Sequence, residues 1–327
     1  MNLFGDEHTG ELATGWIPPS ERDFAQKCLT AEFDEVTPRF GDVNVGVDLP
    51  KHALLYECEK KATGSLLPRI WQKSGSCVGA GGARAYGQTM CGDIVHRQTV
   101  EEVPLLFPWA TYGIGREIAG MRGRGDGSFG AAQAKAVSES GFGMLRADDQ
   151  RLPQPTIRDG WAWWSAQIEK EWSWPKQWPI GRDVLAPDAN NHQISYVARI
   201  KSWDELCQAF AQGYGVTCAS MFGTRPRVQD GFLIGEWNDS WAHQMSWAGY
   251  YTHDSLGELV AVDNQWGPGA HPECPFLSQL GVRGSFWIRK TTVERLLSSG
   301  DAEVFAHGNS EDWPLRTIPF DEFCGFF

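Results

Sequence analysis

Among the eight cysteines of the sequence, Cys77 stands where a thiol could act as a nucleophile. A thiol reacts as the thiolate, so a reactive cysteine needs a lowered pKa, which a helix N-terminus or a neighbouring imidazole provides. Cys77 follows Gly75 and Ser76 and opens the run VGAGGARAYGQTMCG. Because glycine weakens a helix unless other backbone packs closely against it, this run predicts a buried helix that begins at Cys77. The imidazole, the acceptor that holds its tautomer and the donors for an oxyanion must then come from elsewhere in the fold.

Three segments resemble motifs of the papain-like cysteine peptidase family. The segment WQKSGSCVGA at 71–80 resembles the family's nucleophile motif, in which a Gln precedes Gly-Ser-Cys by a few residues. The segment WAHQMSWAGY at 241–250 resembles the strand that begins with the family's His, and VDNQWGPG at 262–269 resembles its Asn-Ser-Trp-Gly turn. The three occur in the family's order. Weaker similarities extend the resemblance from about residue 45 to residue 297.

The resemblance implies a role for each matching residue. Cys77 would be the nucleophile and His243 the general base and acid. Asn264 would orient the imidazole, Gln72 and the Cys77 N–H would form the oxyanion hole, and Trp266 would shield the Asn264–His243 hydrogen bond from water. The fold implied is α+β, a papain-like two-lobed fold in which a helical lobe precedes a β-barrel-like antiparallel lobe, with the active-site cleft between them.

The sequence departs from the family pattern near the nucleophile. The loop between Gln72 and Cys77 is one residue shorter than is usual, Val78 replaces the usual Trp, and Gln265 replaces the usual Ser after the Asn. No segment long enough to be the family's inhibitory pro-domain precedes the motif, so we expect the first 45 residues to form at most a short strap. These departures resemble divergent microbial or viral relatives and leave open whether Cys77 still cuts a substrate.

The elements that position these groups divide the chain into five segments. We predict an N-terminal extension over 1–45, a helical lobe with the nucleophile helix over 46–150, a Trp- and Pro-rich insertion over 151–190, a β-rich lobe with His243 and Asn264 over 191–300, and a C-terminal tail over 301–327.

Local patterns predict individual elements. Apolar spacing favours a helix from Leu105 to Met121, and a second helix would be capped by Ser128 and closed by Gly141. Ser202 begins a capping box that opens the helix WDELCQAFAQG. Strand-like runs cover 215–221, 243–251 and 259–264, and a helix closes the lobe at 291–297.

Composition excludes several function classes. With 41 acidic and 29 basic residues the formal net charge is −12, which argues against a nucleic-acid partner. No apolar run is long enough to span a membrane, and no basic start with an apolar run indicates a secretory signal. His271-Pro-Glu-Cys suits no common metal site, and we predict neither metal nor cofactor. We therefore expect a location in the cytoplasm or within a viral particle.

Two functions remain open. The first is a cysteine peptidase that cleaves a polypeptide substrate through an acyl-thiol intermediate, although transamidase or amidase chemistry would use the same groups. The second is a non-enzymatic assembly protein, such as a viral-particle structural protein, that retains the fold. The shortened Gln72 loop, the Trp-rich segment and the aromatic C-terminus favour it, and partners would then bind through the termini and the Trp-rich loop.

Overall fold

The structure is a computed structural model that describes residues 15–44, 46–99, 103, 105–121, 124–145, 151–173, 196–300, 302–308, 318 and 320. The helices are α1 (Phe24–Val36), α2 (Phe40–Val43), α3 (Leu55–Thr63), α4 (Cys77–Arg97), α5 (Pro108–Ile118), α6 (Gly130–Ser140), α7 (Ala166–Ser173), α8 (Trp203–Ala211), α9 (Pro275–Gln279) and α10 (Lys290–Ser298). The strands are β1 (His52–Leu54), β2 (Arg69–Trp71), β3 (Leu105–Phe107), β4 (Gly143–Leu145), β5 (Thr156–Arg158), β6 (Trp161–Trp163), β7 (Tyr196–Arg199), β8 (Gly215–Gly223), β9 (Arg227–Gln229), β10 (Phe232–Gly235), β11 (Asp239–His253), β12 (Gly257–Asp263), β13 (Ser285–Arg289) and β14 (Glu303–Gly308).

Helix α4 is the central helix of the molecule, as its Ala- and Gly-rich sequence predicts. It begins at Cys77, and every residue from there to Ile94 is buried. Its glycines allow close packing: a Cβ added at Gly79 would lie 2.6 Å from the Cβ of Tyr112 on α5. A larger residue there would separate the two helices.

The largest sheet has nine strands in the order β7-β14-β8-β11-β12-β13-β10-β9, with β1 paired to β11. Every neighbouring pair is antiparallel except β10 and β13. The order ends at β7 on one side and β9 on the other, so these described strands do not close into a barrel. The long strand β11, which carries His243, lies in its interior between β8 and β12.

Two hydrophobic clusters give the predicted two lobes. One contains the apolar faces of the large sheet with α3 and α8. The other contains α4, α5 and α6 with the Trp-rich segment. The mixed α+β class is therefore confirmed, and α4 lies between the two clusters.

Several elements differ from their sequence prediction. Residues 303–308, assigned to a C-terminal tail, form β14 between β7 and β8. Ser128 does not cap α6, because the Glu303 carboxylate of β14 accepts hydrogen bonds from the Gly130 and Ala131 N–H groups instead. The predicted helix from Leu105 is preceded by β3 and begins at Pro108, which suits a first helical position.

The predicted cap at Ser202 is confirmed, and part of the Trp-rich segment forms strands and a helix. Ser202 does cap α8, since its hydroxyl accepts from the Glu205 N–H. Part of the Trp-rich segment folds as β5, β6 and α7, with β6 parallel to β2, and residues 174–195 lie outside the described part. None of the described helices is long and apolar enough to cross a membrane.

Candidate active site

Cys77 lies beside the strand that carries His243. The backbone N–H of Gln244, one residue after His243, acts to lower the pKa of the Cys77 thiol. The Gln244 side chain also donates from Nε2 to the Val78 carbonyl, at 3.1 Å. The Gln244–Val78 bond fixes the first turn of α4, where Cys77 lies, against β11, which carries His243.

His243, Asn264 and Trp266 form the group that the motifs predicted. His243 Nε2 lies 3.1 Å from Asn264 Oδ1. The Trp266 ring stacks on the imidazole with centroids 4.4 Å apart and planes 21° apart. His243 Nδ1 is buried and has no hydrogen-bond partner in the part of the chain that the structure describes. The second ring nitrogen is thus left for a proton donor or acceptor in the cleft.

Gln72 lies at the junction of the two lobes. Its backbone N–H donates to the Gln265 carbonyl at 2.9 Å, which ties it to the turn that holds Asn264. Its side-chain Nε2 donates to the Ser74 carbonyl at 3.0 Å. In this structure the Gln72 amide therefore donates within its own loop, the loop to Cys77 that is one residue shorter than is usual in the family.

Glu169 of α7 holds that loop in place through hydrogen bonds. Its carboxylate accepts from the Lys73 N–H at 2.8 Å and from the Ser74 hydroxyl at 2.8 Å, and the Ser76 hydroxyl lies 3.3 Å away. The side chain is completely buried, and burial raises its pKa to about 7 despite these donors. The Trp-rich segment thus contributes a buried carboxylate next to the nucleophile.

Residues 15–18, which we call the N-terminal cover, close the cleft. The backbone N–H of Gly15 also acts to lower the pKa of the Cys77 thiol. The Trp16 N–H donates to the Ala242 carbonyl at 3.3 Å. The Ser128 N–H donates to the Gly15 carbonyl at 2.9 Å, and the Ser128 carbonyl accepts from the Ile17 N–H at 2.8 Å. The cover therefore pairs with both walls of the cleft, and it leaves Cys77 and His243 each 0% exposed.

The cover is held by contacts on both sides of the cleft. A Cβ added at Gly15 would lie 1.8 Å from the Gly75 carbonyl oxygen, so only glycine fits there. The Glu303 carboxylate accepts from Trp16 Nε1 and from Arg22 Nη2, each at 2.7 Å. Because this carboxylate also caps α6, it joins the cover to the helical lobe.

Burial keeps Cys77 and His243 neutral. Loss of solvent raises the pKa of the Cys77 thiol to about 11, against the opposing effect of the Gln244 and Gly15 N–H groups. Loss of solvent also lowers the pKa of His243 to about 3, which the bond to Asn264 only partly offsets. At neutral pH the covered site holds a thiol and a neutral imidazole.

Two solved structures of cysteine proteases are similar to this chain in fold. Xylellain, a cysteine protease from Xylella fastidiosa, aligns with a TM-score of 0.55 at 16% identity, over 91% of this chain and 96% of that chain. ProCathepsin B S9 from Trypanosoma congolense aligns with a TM-score of 0.51 at 12% identity, over 91% and 87%. The chain has the papain-like fold. No protein-family model and no curated protein matches it.

The family resemblance and the papain-like fold class are thus confirmed. Three residues of this papain-like cleft were missed by the sequence analysis: Glu169, His271 and Glu303. His271 was considered only as a metal ligand, yet its Nε2 lies 2.7 Å from Asn264 Nδ2. Glu169 and Glu303 belong to no motif, and each reaches the cleft from a segment distant in sequence. No local pattern marks them.

Proposed function

We propose that this chain is a latent papain-like cysteine peptidase. The observation that carries the proposal is the joint placement of Cys77 at the start of α4, of the His243 strand β11 against that first turn, and of Asn264 on the imidazole. A merely buried cysteine needs none of these neighbours. The fold supports the proposal but does not supply the activity, because unrelated functions share folds.

The groups present can perform acyl transfer to a thiol. His243 Nδ1 would take the Cys77 proton, and the thiolate would attack the carbonyl carbon of a peptide bond. The tetrahedral oxyanion would accept from the Cys77 N–H and, once it leaves the Ser74 carbonyl, from the Gln72 amide. His243 would then protonate the departing amine. A water molecule, losing its proton to His243, would hydrolyse the thioester and regenerate the thiol.

The cover must leave before this chemistry begins. Its main chain bonds to Ala242 and Ser128, and Cys77 is 0% exposed in this closed arrangement. Since burial is the largest cause of both pKa shifts, exposure would lower the pKa of Cys77 and raise that of His243. Both changes favour the thiolate–imidazolium pair.

A glycine substitution tests the proposal. Gly15→Ala puts a methyl group against the Gly75 carbonyl, and overpacking of this kind costs roughly 1–3 kcal/mol. We expect a thiol-reactive epoxide to label Cys77 roughly five- to a hundredfold faster in this variant, since 1.4 kcal/mol is a factor of about ten. Turnover of a fluorogenic peptide should rise with it. Peptide mapping by mass spectrometry would assign the label.

Two controls accompany this test. Gly125→Ala introduces a methyl where nothing lies within 4 Å and should change neither rate. Gly15→Ala combined with Cys77→Ala should lose turnover while the fold persists. The peptidase proposal is wrong if the uncovered cleft is labelled at Cys77 but no peptide in a mixed-sequence library is cleaved.

The second candidate is a non-enzymatic assembly protein, such as a viral-particle component in the cytoplasm or virion. It is favoured by the closed cleft, in which both reactive groups are buried and neutral and the Gln72 amide is turned onto its own loop. If this function holds, Cys77→Ala should leave assembly unchanged. Sedimentation of the wild type and of Cys77→Ala would show equal particles, and Gly15→Ala would stay without turnover.

A further inference from the structure

His271 contacts the residue that orients the proposed base. It follows β12 in the loop before α9, and its Nε2 lies 2.7 Å from the Asn264 amide nitrogen. Asn264 Oδ1 is turned the other way, 3.1 Å from His243 Nε2. The His271 ring packs edge-on against Phe286 at 4.9 Å between centroids. The two imidazoles and the amide therefore form one chain of hydrogen bonds.

The chemistry of these groups fixes the direction of that chain. An amide nitrogen only donates, so His271 Nε2 must be the acceptor, with its proton on Nδ1. Burial lowers the pKa of His271 to about 4, so the ring is neutral at neutral pH and keeps the lone pair that this bond requires. The carbonyl oxygen of Asn264 is then the only amide atom left for His243.

We propose that His271 is a positioning residue that sets the tautomer of His243 through Asn264. With the amide oxygen facing it, His243 carries its proton on Nε2, which leaves the lone pair of Nδ1 in the cleft for the Cys77 proton. Without His271 the amide of Asn264 can rotate by 180°, and its NH₂ group would then face Nε2 and favour the opposite tautomer. The catalytic consequence rests on the proposed peptidase function, whereas the tautomer does not.

Nitrogen-15 NMR of the histidine rings in the full chain tests the tautomer directly. In the wild type we expect His243 protonated on Nε2 and His271 on Nδ1. His271→Phe keeps a ring against Phe286 but removes the acceptor, and we expect a substantial share of His243 to move its proton to Nδ1. His271→Gln offers a carbonyl oxygen and should restore Nε2–H. A wild type with His243 protonated on Nδ1, or a His271→Phe variant with an unchanged His243, overturns the proposal.

Kinetics in the Gly15→Ala background test the consequence. Loss of a residue that orients another typically costs on the order of ten- to a hundredfold in activity, and we expect this loss in kcat with little change in KM for His271→Phe. His271→Gln should recover most of it. A purely structural role would give no such recovery.

The control is His307→Phe, at a buried histidine bonded to the Thr217 hydroxyl at 2.9 Å. It can lower stability but should not alter kcat per folded molecule or the His243 tautomer. Equal kcat in Gly15→Ala and its His271→Phe derivative overturns the positioning role. No turnover in any variant contradicts the peptidase proposal instead, and the NMR result then still decides whether His271 sets the tautomer.

Discussion

Glu169 shows how a single residue can shape the cleft from outside any motif. Its carboxylate is buried behind the loop of Gln72 and accepts from the Lys73 N–H and the Ser74 hydroxyl, while the Ser74 carbonyl holds the Gln72 amide. The motif residues Cys77, His243 and Asn264 were predictable because each sits in a recognisable run of neighbours. Glu169 was not, because its importance comes from contacts about 95 positions away along the chain.

The raised pKa of Glu169 gives a pH dependence of stability. The folded-state pKa is about 7 and an unfolded glutamate titrates near 4.3, so between these values the folded chain binds a proton that the unfolded chain has lost. The resulting stabilisation is full below about pH 4, declines as pH rises and is gone above about pH 7, and its maximum is roughly 4 kcal/mol. The free energy of unfolding of Glu169→Gln, measured in urea from pH 5 to 8, should lack this decline. A wild-type curve parallel to that of the variant would contradict the shift.

At the scale of elements, a buried ion network joins α3, α4 and β12. Arg84, two turns into the nucleophile helix, donates to Asp263 at 2.8 Å and to Glu59 at 2.6 Å. Asp263 also accepts from the Tyr56 hydroxyl and directly precedes Asn264. The Cys77 helix and the strand that leads to Asn264 are therefore anchored to one cation. The Gly- and Ala-rich run after Cys77 predicted α4 and a strand-like run predicted β12, but neither could show that a charged residue inside a Gly-rich helix connects them.

Removal of that cation should be costly. Arg84→Leu leaves Glu59 and Asp263 as buried carboxylates without their partner, and breaking a buried pair typically costs roughly 3–5 kcal/mol. Urea unfolding should report that loss. The comparison is Lys135→Ala, which removes an exposed pair with Glu139 on α6 at 3.8 Å and should change stability by less than about 0.5 kcal/mol. Similar small losses in both variants would show that the network is replaceable.

At the scale of the whole molecule, the two ends of the described chain meet at the cleft. Strand β14 lies inside the sheet, and its Glu303 holds both the cover and the start of α6. The two-lobed α+β fold could be anticipated because the motifs lie within contiguous runs. The closing of the cleft could not, since it depends on bonds between positions more than 280 residues apart.

Glu303→Gln should therefore act on Cys77 from across the molecule. The amide keeps one acceptor oxygen but loses the charge that holds Arg22, so the cover should detach more often. We expect faster epoxide labelling of Cys77 and faster proteolysis near residues 15–22 than in the wild type. Because Gly15→Ala weakens the same docked segment, the two changes should be less than additive in the logarithm of the labelling rate. Full additivity would mean that Glu303 and Gly15 act on separate steps, and an unchanged labelling rate would show that Glu303 supports α6 alone.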